Sequence, residues 1–219
     1  MNSRRLASWC TAVAVAIGYS TPAAAQESLS PTTSSFTTAR PGWYLSIGAV
    51  GAHLGLEVQD ALAFGALGID VDERGGGGFL QVGYAFAPGF ALEFGFTTTE
   101  HSTGRDDVQA RFHQAQLDAI APLVRSGRFI PYVAGGLGGA GLELAGAGID
   151  DTTLSGAQAD FGGGIEVYLS RRTALSAHYR FAIQDFRDKS IETGAGAGKV
   201  DVDARGDSHT WGLRFAWSF

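Results

Sequence analysis

The last ten residues, Thr210 to Phe219, constrain the fold more than any other stretch. Trp211, Leu213, Phe215, Trp217 and Phe219 recur at period two, and Thr210, Gly212, Arg214, Ala216 and Ser218 fill the positions between them. An extended strand sends alternate side chains to opposite faces, so this segment carries one large aromatic face and one thin polar face. A soluble sandwich could bury the aromatic face, but it would rarely end its chain on an exposed aromatic. A strand whose greasy face meets lipid and whose polar face meets a barrel lumen fits the pattern better.

The same alternation recurs upstream. A first strand is expected over Gly42 to His53, with Trp43, Leu45, Ile47 and Ala49 on one face and Tyr44, Ser46 and Gly48 on the other. Leu80, Val82, Tyr84 and Phe86 define a second strand from Gly77 to Phe86, and Ala87-Pro88-Gly89 is a tight turn into a third with Phe90, Leu92, Phe94 and Phe96 outward. A fourth strand, Ala110 to Leu123, puts Leu117, Ala119, Ala121 and Leu123 outward and Gln114, Gln116 and Asp118 inward. On that register Arg111 and His113 point outward; a bulge shifting the register is the alternative. The fifth strand, Phe129 to Leu144, is so rich in glycine that its register stays open. The sixth, Gly156 to Leu169, places Phe161, Ile165, Val167 and Leu169 outside, and the seventh does so with Leu175, Ala177, Tyr179, Phe181 and Ile183.

Between these strands lie three short turns and four long polar segments: 54–76 (with a short helical turn near Asp60 to Phe64), 100–109, 144–155 and 185–207. Arg125, Arg128, Arg171 and Arg172 sit on the turns, whereas each long segment is net acidic. The expected fold is therefore all-β: an eight-stranded antiparallel up-and-down transmembrane barrel, with short periplasmic turns and four long extracellular loops. A soluble sandwich or lipocalin-like barrel is the competing reading. Lipocalin-type barrels turn their apolar side inward, and here charged residues stand opposite the aromatics. A mean hydropathy of +0.05 is too low for a helical membrane bundle but is what two averaged strand faces give.

Residues 1–25 read as a secretory signal peptide: Arg4 and Arg5, an apolar run from Leu6 to Gly18, and the small-residue site Ala23-Ala24-Ala25. Residues 26–41 form a Ser/Thr-rich flexible leader, and 42–219 the barrel. Cys10, the single cysteine, falls in the signal peptide, so no disulfide or thiolate chemistry is expected of the mature chain. Loss of Arg4 and Arg5 takes the net charge from −6 to −8, which argues against nucleic acid as a partner.

The inward parity collects Glu93, Asp118, Asp160, Glu166, His178, Arg180 and Arg214 in the lumen. Eight strands leave just enough space for side chains to fill, so buried charges of both signs must pair. The expectation is an Arg/carboxylate plug, with a carboxylate such as Glu93 or Glu166 on Arg214. A narrow pore gated by switching those pairs is the alternative. Ser176, His178 and Glu166 are a weak candidate for a lipid-directed hydrolytic triad. Arg205-Gly206-Asp207 spells an adhesion tripeptide at the base of the fourth loop. Asp70/Asp72 and Asp201/Asp203 are loop acids that could hold divalent cations, without the spacing of a calcium loop. No catalytic residue, cofactor or metal site is expected.

Taken with Gly127-Arg128-Phe129-Ile130-Pro131-Tyr132-Val133-Ala134-Gly135-Gly136, Ala177-His178-Tyr179-Arg180-Phe181 and the terminal Phe219, the pattern resembles the small eight-stranded outer-membrane proteins: OmpA-like transmembrane domains, OmpX/Ail and opacity-type porins. The resemblance covers residues 42–219. It implies residence in a Gram-negative outer membrane among lipids and lipopolysaccharide. It also implies insertion by the barrel-assembly machinery through a signature at Trp211, Leu213, Phe215, Trp217 and Phe219, and a host or surface ligand at the loops. The peptidoglycan-binding domain of full-length OmpA proteins is not expected.

Overall fold

The computed structural model describes residues 41–56, 71–87, 89–103, 106, 108–124, 127–146, 149–192 and 199–219. The expected signal peptide, the expected leader up to residue 40 and the helical turn expected at Asp60 to Phe64 lie outside these. Eight strands follow in order: β1 Gly42–Leu56, β2 Val71–Ala85, β3 Ala91–Thr103, β4 Val108–Pro122, β5 Phe129–Gly146, β6 Ile149–Tyr168, β7 Thr173–Glu192 and β8 Lys199–Ser218. Each pairs antiparallel with its sequence neighbours, and β8 returns to β1 to close the barrel. Closure starts at the chain end, where Phe219 N donates to Trp43 O at 3.1 Å and Tyr44 faces Ser218.

Local chemistry shapes the short connections. At the β2–β3 turn Gly89 takes a positive φ of 92°, a region open to glycine at little cost, and donates its N–H to Phe86 O at 2.9 Å. The rings of Phe86 and Phe90 stack at 4.5 Å across the same turn. At the β6–β7 turn the Ser170 hydroxyl accepts the N–H groups of Arg172 and Thr173.

The strands run well past their expected ends. The polar segments read as loops are paired strand over Val71–Gly76, Glu100–Thr103, Val108–Gln109, Ile149–Ser155, Asp185–Glu192 and Lys199–Asp207. Their described outward positions, such as Arg74, Glu100, Gln109, Ser155 and Asp185, carry no apolar side chain, so alternation in hydropathy could not reveal them. The two open registers are also resolved. β4 pairs with both neighbours without a shift, which leaves Arg111 and His113 outward with no bulge between them and Asp118. In β5, Phe129, Val133 and Leu137 face out while Tyr132, Gly136 and Ala140 face in.

Longer strands bring an inversion of polarity. Over the half nearer the short turns, the exterior is apolar on every strand: Trp43, Leu80, Phe94, Leu117, Leu137, Phe161, Tyr179 and Leu213 are all exposed, the last by 69 %. The interior at mid-barrel is polar, and a small buried apolar group of Ile120, Tyr132 and Ala134 lies inside the turn end. Toward the long-loop end the faces exchange character. Along β4 the inward side chains change from Asp118, Gln116 and Gln114 to Phe112, Ala110 and Val108, while the outward ones change from Leu117 to His113 and Arg111. Leu54, Ala110, Phe112, Ala140, Leu142, Leu144, Leu154 and Phe186 meet inside this end as a buried apolar cluster. The loop end is thus built like a water-soluble barrel, and its polar exterior includes the pairs Arg111–Glu100 at 3.4 Å and His113–Glu143 at 3.3 Å.

This cluster predicts a definite cost for opening it. Leu142, 2 % exposed, should lose about 2–5 kcal/mol on replacement by alanine. In unboiled gel samples of the refolded L142A variant, the fast folded band should convert at a lower temperature than in the parent; an unchanged conversion temperature would count against the cluster.

Candidate functional site

The centre of the barrel is organised by one row of cross-strand neighbours. Tyr44 of β1 faces Gly83 of β2, which faces Glu93 of β3, then Asp118 of β4, Gly136 of β5 and Asp160 of β6. The two glycines make this row possible. A Cβ on Gly83 would run into the Tyr44 phenol, and one on Gly136 into the Asp118 carboxylate and the Leu117 carbonyl oxygen. With side chains missing there, Tyr44 reaches across to donate to Glu93 Oε2 at 2.9 Å, and Asp118 and Asp160 come near enough to share one nitrogen of Arg180.

Like charges placed directly opposite destabilise a sheet, and Glu93 and Asp118 are such a pair. Two arginines from the other wall of the barrel offset them. Arg180 of β7 places Nη1 2.6 Å from Asp118 Oδ2 and 3.0 Å from Asp160 Oδ1, with Nη2 3.9 Å from Glu93 Oε1. Arg214 of β8, for which a single carboxylate partner was expected, binds both candidates: Nη1 to Glu93 Oε2 at 2.9 Å and Nη2 to Glu166 Oε2 at 2.8 Å. Its Nε donates to Ser176 Oγ at 2.8 Å, and its guanidinium carbon lies 5.6 Å from the Tyr132 ring centroid. Glu93 and Asp118 have no exposed side-chain surface. Charges so buried require partners, because removing one leaves the other desolvated and uncompensated.

Six of the seven lumen residues named from sequence therefore form one ionic cluster. The seventh, His178, stands apart: its ring packs edge-on against Phe79 at 5.3 Å. The reading from sequence missed Tyr44 as a member and missed a chain of amides above the ions. Gln184 and Gln114 both donate to Ser208 Oγ, Gln114 donates to Gln158, Gln158 to Gln116, and Gln116 to Asp118 Oδ2 at 3.0 Å. Inward parity, carried past the expected strand ends, was the signal that could have found Gln184 and Ser208.

The remaining motifs take ordinary places. Ser176 Oγ is the acceptor for Arg214, not a partner of His178. Arg205-Gly206-Asp207 lies within β8, hydrogen-bonded in ladders to β7 and at Gly206 and Asp207 to β1. Asp72 Oδ1 accepts the Arg74 N–H at 3.0 Å; Asp70 and the side chains of Asp201 and Asp203 lie outside the described residues. Among the described residues no group of three or more His, Cys, Asp or Glu is placed to hold a metal.

Below the ions, at the short-turn end, a vestibule opens. Its walls include Ile120, Tyr44 and Tyr132, its roof Glu166 and Arg214, and its mouth Arg172. Above the amides stands the apolar cluster of the loop end. Outside, at the height of the polarity change, Tyr179 Oη and His209 Nδ1 are 2.5 Å apart, and His53 lies 3.5 Å from Glu73.

A closed antiparallel barrel with an apolar belt outside and an ion-paired interior is a transmembrane β-barrel. The chain belongs to the outer membrane protein beta-barrel domain family, whose profile matches residues 11–219. Among solved structures it is similar to Neisserial surface protein A, at 16% identity and a TM-score of 0.56, covering 81% of this chain and 97% of that one. It is also similar to the outer membrane protein OprG from Pseudomonas aeruginosa, at 13% identity and a TM-score of 0.51, covering 83% and 97%. At these identities the likeness shows the fold. No curated protein sequence is similar enough to count as a relative.

The geometry makes two predictions. Arg214→Met should cost about 3–5 kcal/mol in urea unfolding of the refolded barrel, because Glu93 is left buried without its closest cation. The double variant R214M/E93Q should recover much of that loss; additive losses would show that the two are not coupled. Gly136→Ala should cost about 1–3 kcal/mol through overpacking, read in the same assay.

Proposed function

We propose that the protein is an integral barrel of the bacterial outer membrane with a structural or surface-interaction role, exercised at its loop end. In this reading, residues 1–25 are a signal peptide removed on export, 26–41 a leader and 42–219 the working barrel. The stripe from Trp211 to Phe219 is the assembly signature read by the barrel-assembly machinery. Its surroundings are outer-membrane lipids and lipopolysaccharide, its loops meet a host or surface ligand, and nucleic acid is not a partner. Membership of the outer-membrane family supports the location.

The observation that carries the role is that the lumen is filled twice over. The Arg180/Arg214 cluster occupies its middle, and the apolar cluster around Phe112 and Leu142 fills its loop end. A hydrated ion crossing this lumen would have to break the first and part the second. The turn-end vestibule favours the pore reading, since it gives solutes access as far as Glu166 and Arg214, but it leads to these two closures.

Planar-bilayer recording tests the choice. Purified refolded protein is expected to add no reproducible single-channel steps at moderate voltage. Regular steps of one amplitude would overturn the plugged reading in favour of a small pore.

A further inference from the structure

The ion count of the lumen does not balance. Glu93, Asp118, Asp160 and Glu166 face two guanidiniums, Arg180 and Arg214. With all six ionised, two negative charges remain over. The surplus is also visible atom by atom: Glu93 Oε1, Asp118 Oδ1 and Asp160 Oδ2 are buried and no protein hydrogen-bond donor reaches them.

We propose that part of this surplus is met by a bound monovalent cation of the sodium or potassium class, seated against Asp160. A cavity of about 20 Å³ lies beside this carboxylate, room for one water-sized particle. Asp160, whose side chain is 2 % exposed, gives Oδ1 to Arg180 and keeps Oδ2 without a donor. Thr97 and Thr210 add hydroxyls to the wall, and Gln81 and Gln116 add amides. The amide oxygens each accept one bond, from Ser46 at 3.3 Å and from Gln158 at 3.1 Å. A carbonyl oxygen has a second lone pair to give.

One carboxylate with several neutral oxygens is the donor set of a hard, singly charged ion. Divalent calcium gathers more carboxylate charge, and softer metals gather imidazole or thiolate. Arg180 and His178 line the same cavity. The positive charge of Arg180 does not exclude a cation, because three carboxylates lie within 3.9 Å of it. An ion at this point would also neutralise the like-charge contact between Asp118 and Asp160, which the row through Gly136 forces together. The rival source of neutrality is a proton shared by those two aspartates.

Thermal unfolding of the refolded barrel in detergent separates the two. The parent is melted across a sodium chloride series and across choline chloride at matched ionic strength, choline being too large for the cavity. The cation reading expects the midpoint to rise by several degrees with sodium and not with choline. It expects Asp160→Asn to lose that difference, and Thr97→Val, which alters no charge, to reduce it. Equal midpoints in the two salts would overturn the proposal and leave the shared proton. A sodium effect undiminished in both variants would overturn the assignment to this cavity.

Discussion

In hydrocarbon a strand has nowhere to put its N–H and C=O groups except on neighbouring strands, and an open edge would leave a row of them unmet. Closure from β8 to β1 is therefore the condition for everything else in this molecule. Once the sheet is closed, parity is fixed, and each residue faces either lipid or lumen. Trp211, Leu213, Phe215 and Trp217 can face lipid only because Arg214 then faces inward. The burden of the fold passes to the interior, where polar side chains must satisfy one another in a narrow space.

That burden is met by placing unlike groups on opposite walls. The acids come mainly from β3, β4 and β6, the arginines from β7 and β8, and glycines at 83 and 136 supply the room for them to meet. Specificity follows from the geometry. All three Arg214 nitrogens have a named acceptor and Arg180 Nη1 has two, so a slip of β7 or β8 by one residue would strand that strand's guanidinium against lipid and draw aromatics into the lumen. The ionic cluster is in this sense a check on the register as well as a filling.

The polarity inversion toward the loop end answers a different solvent. Where the exterior meets water and headgroups, apolar side chains gain by turning inward, and the cluster of Phe112, Leu142, Leu144 and Phe186 does so. This half was illegible in the sequence for a physical reason. Outward alternation of large apolar residues announces a strand in lipid, but Gln109, Arg111, Glu143 and Asp185 announce only solvent. The strands of the membrane layer, their faces except in β5, and the lumen set from Glu93 to Arg214 were legible because large apolar residues alternate there with small or polar ones. Gly136 and Gly138 hid the register of β5, since a glycine carries no facial information, and only pairing with Asp118 and Asp160 settles it. The partners of each charge depend on which strands meet across the barrel, which no local pattern encodes.

The central claim is that one uninterrupted register carries β4 from a lipid-facing to a water-facing environment. Residues 109 to 121 can be spin-labelled singly after cysteine substitution, since Cys10 is the only native cysteine. Collision with oxygen reports lipid, and collision with a water-soluble nickel chelate reports solvent. At odd positions, oxygen access should be high at 117, 119 and 121 and give way to nickel access at 113, 111 and 109, with even positions low for both. Oxygen access persisting at odd positions down to 109, or an exchange of odd and even positions along the way, would contradict the account.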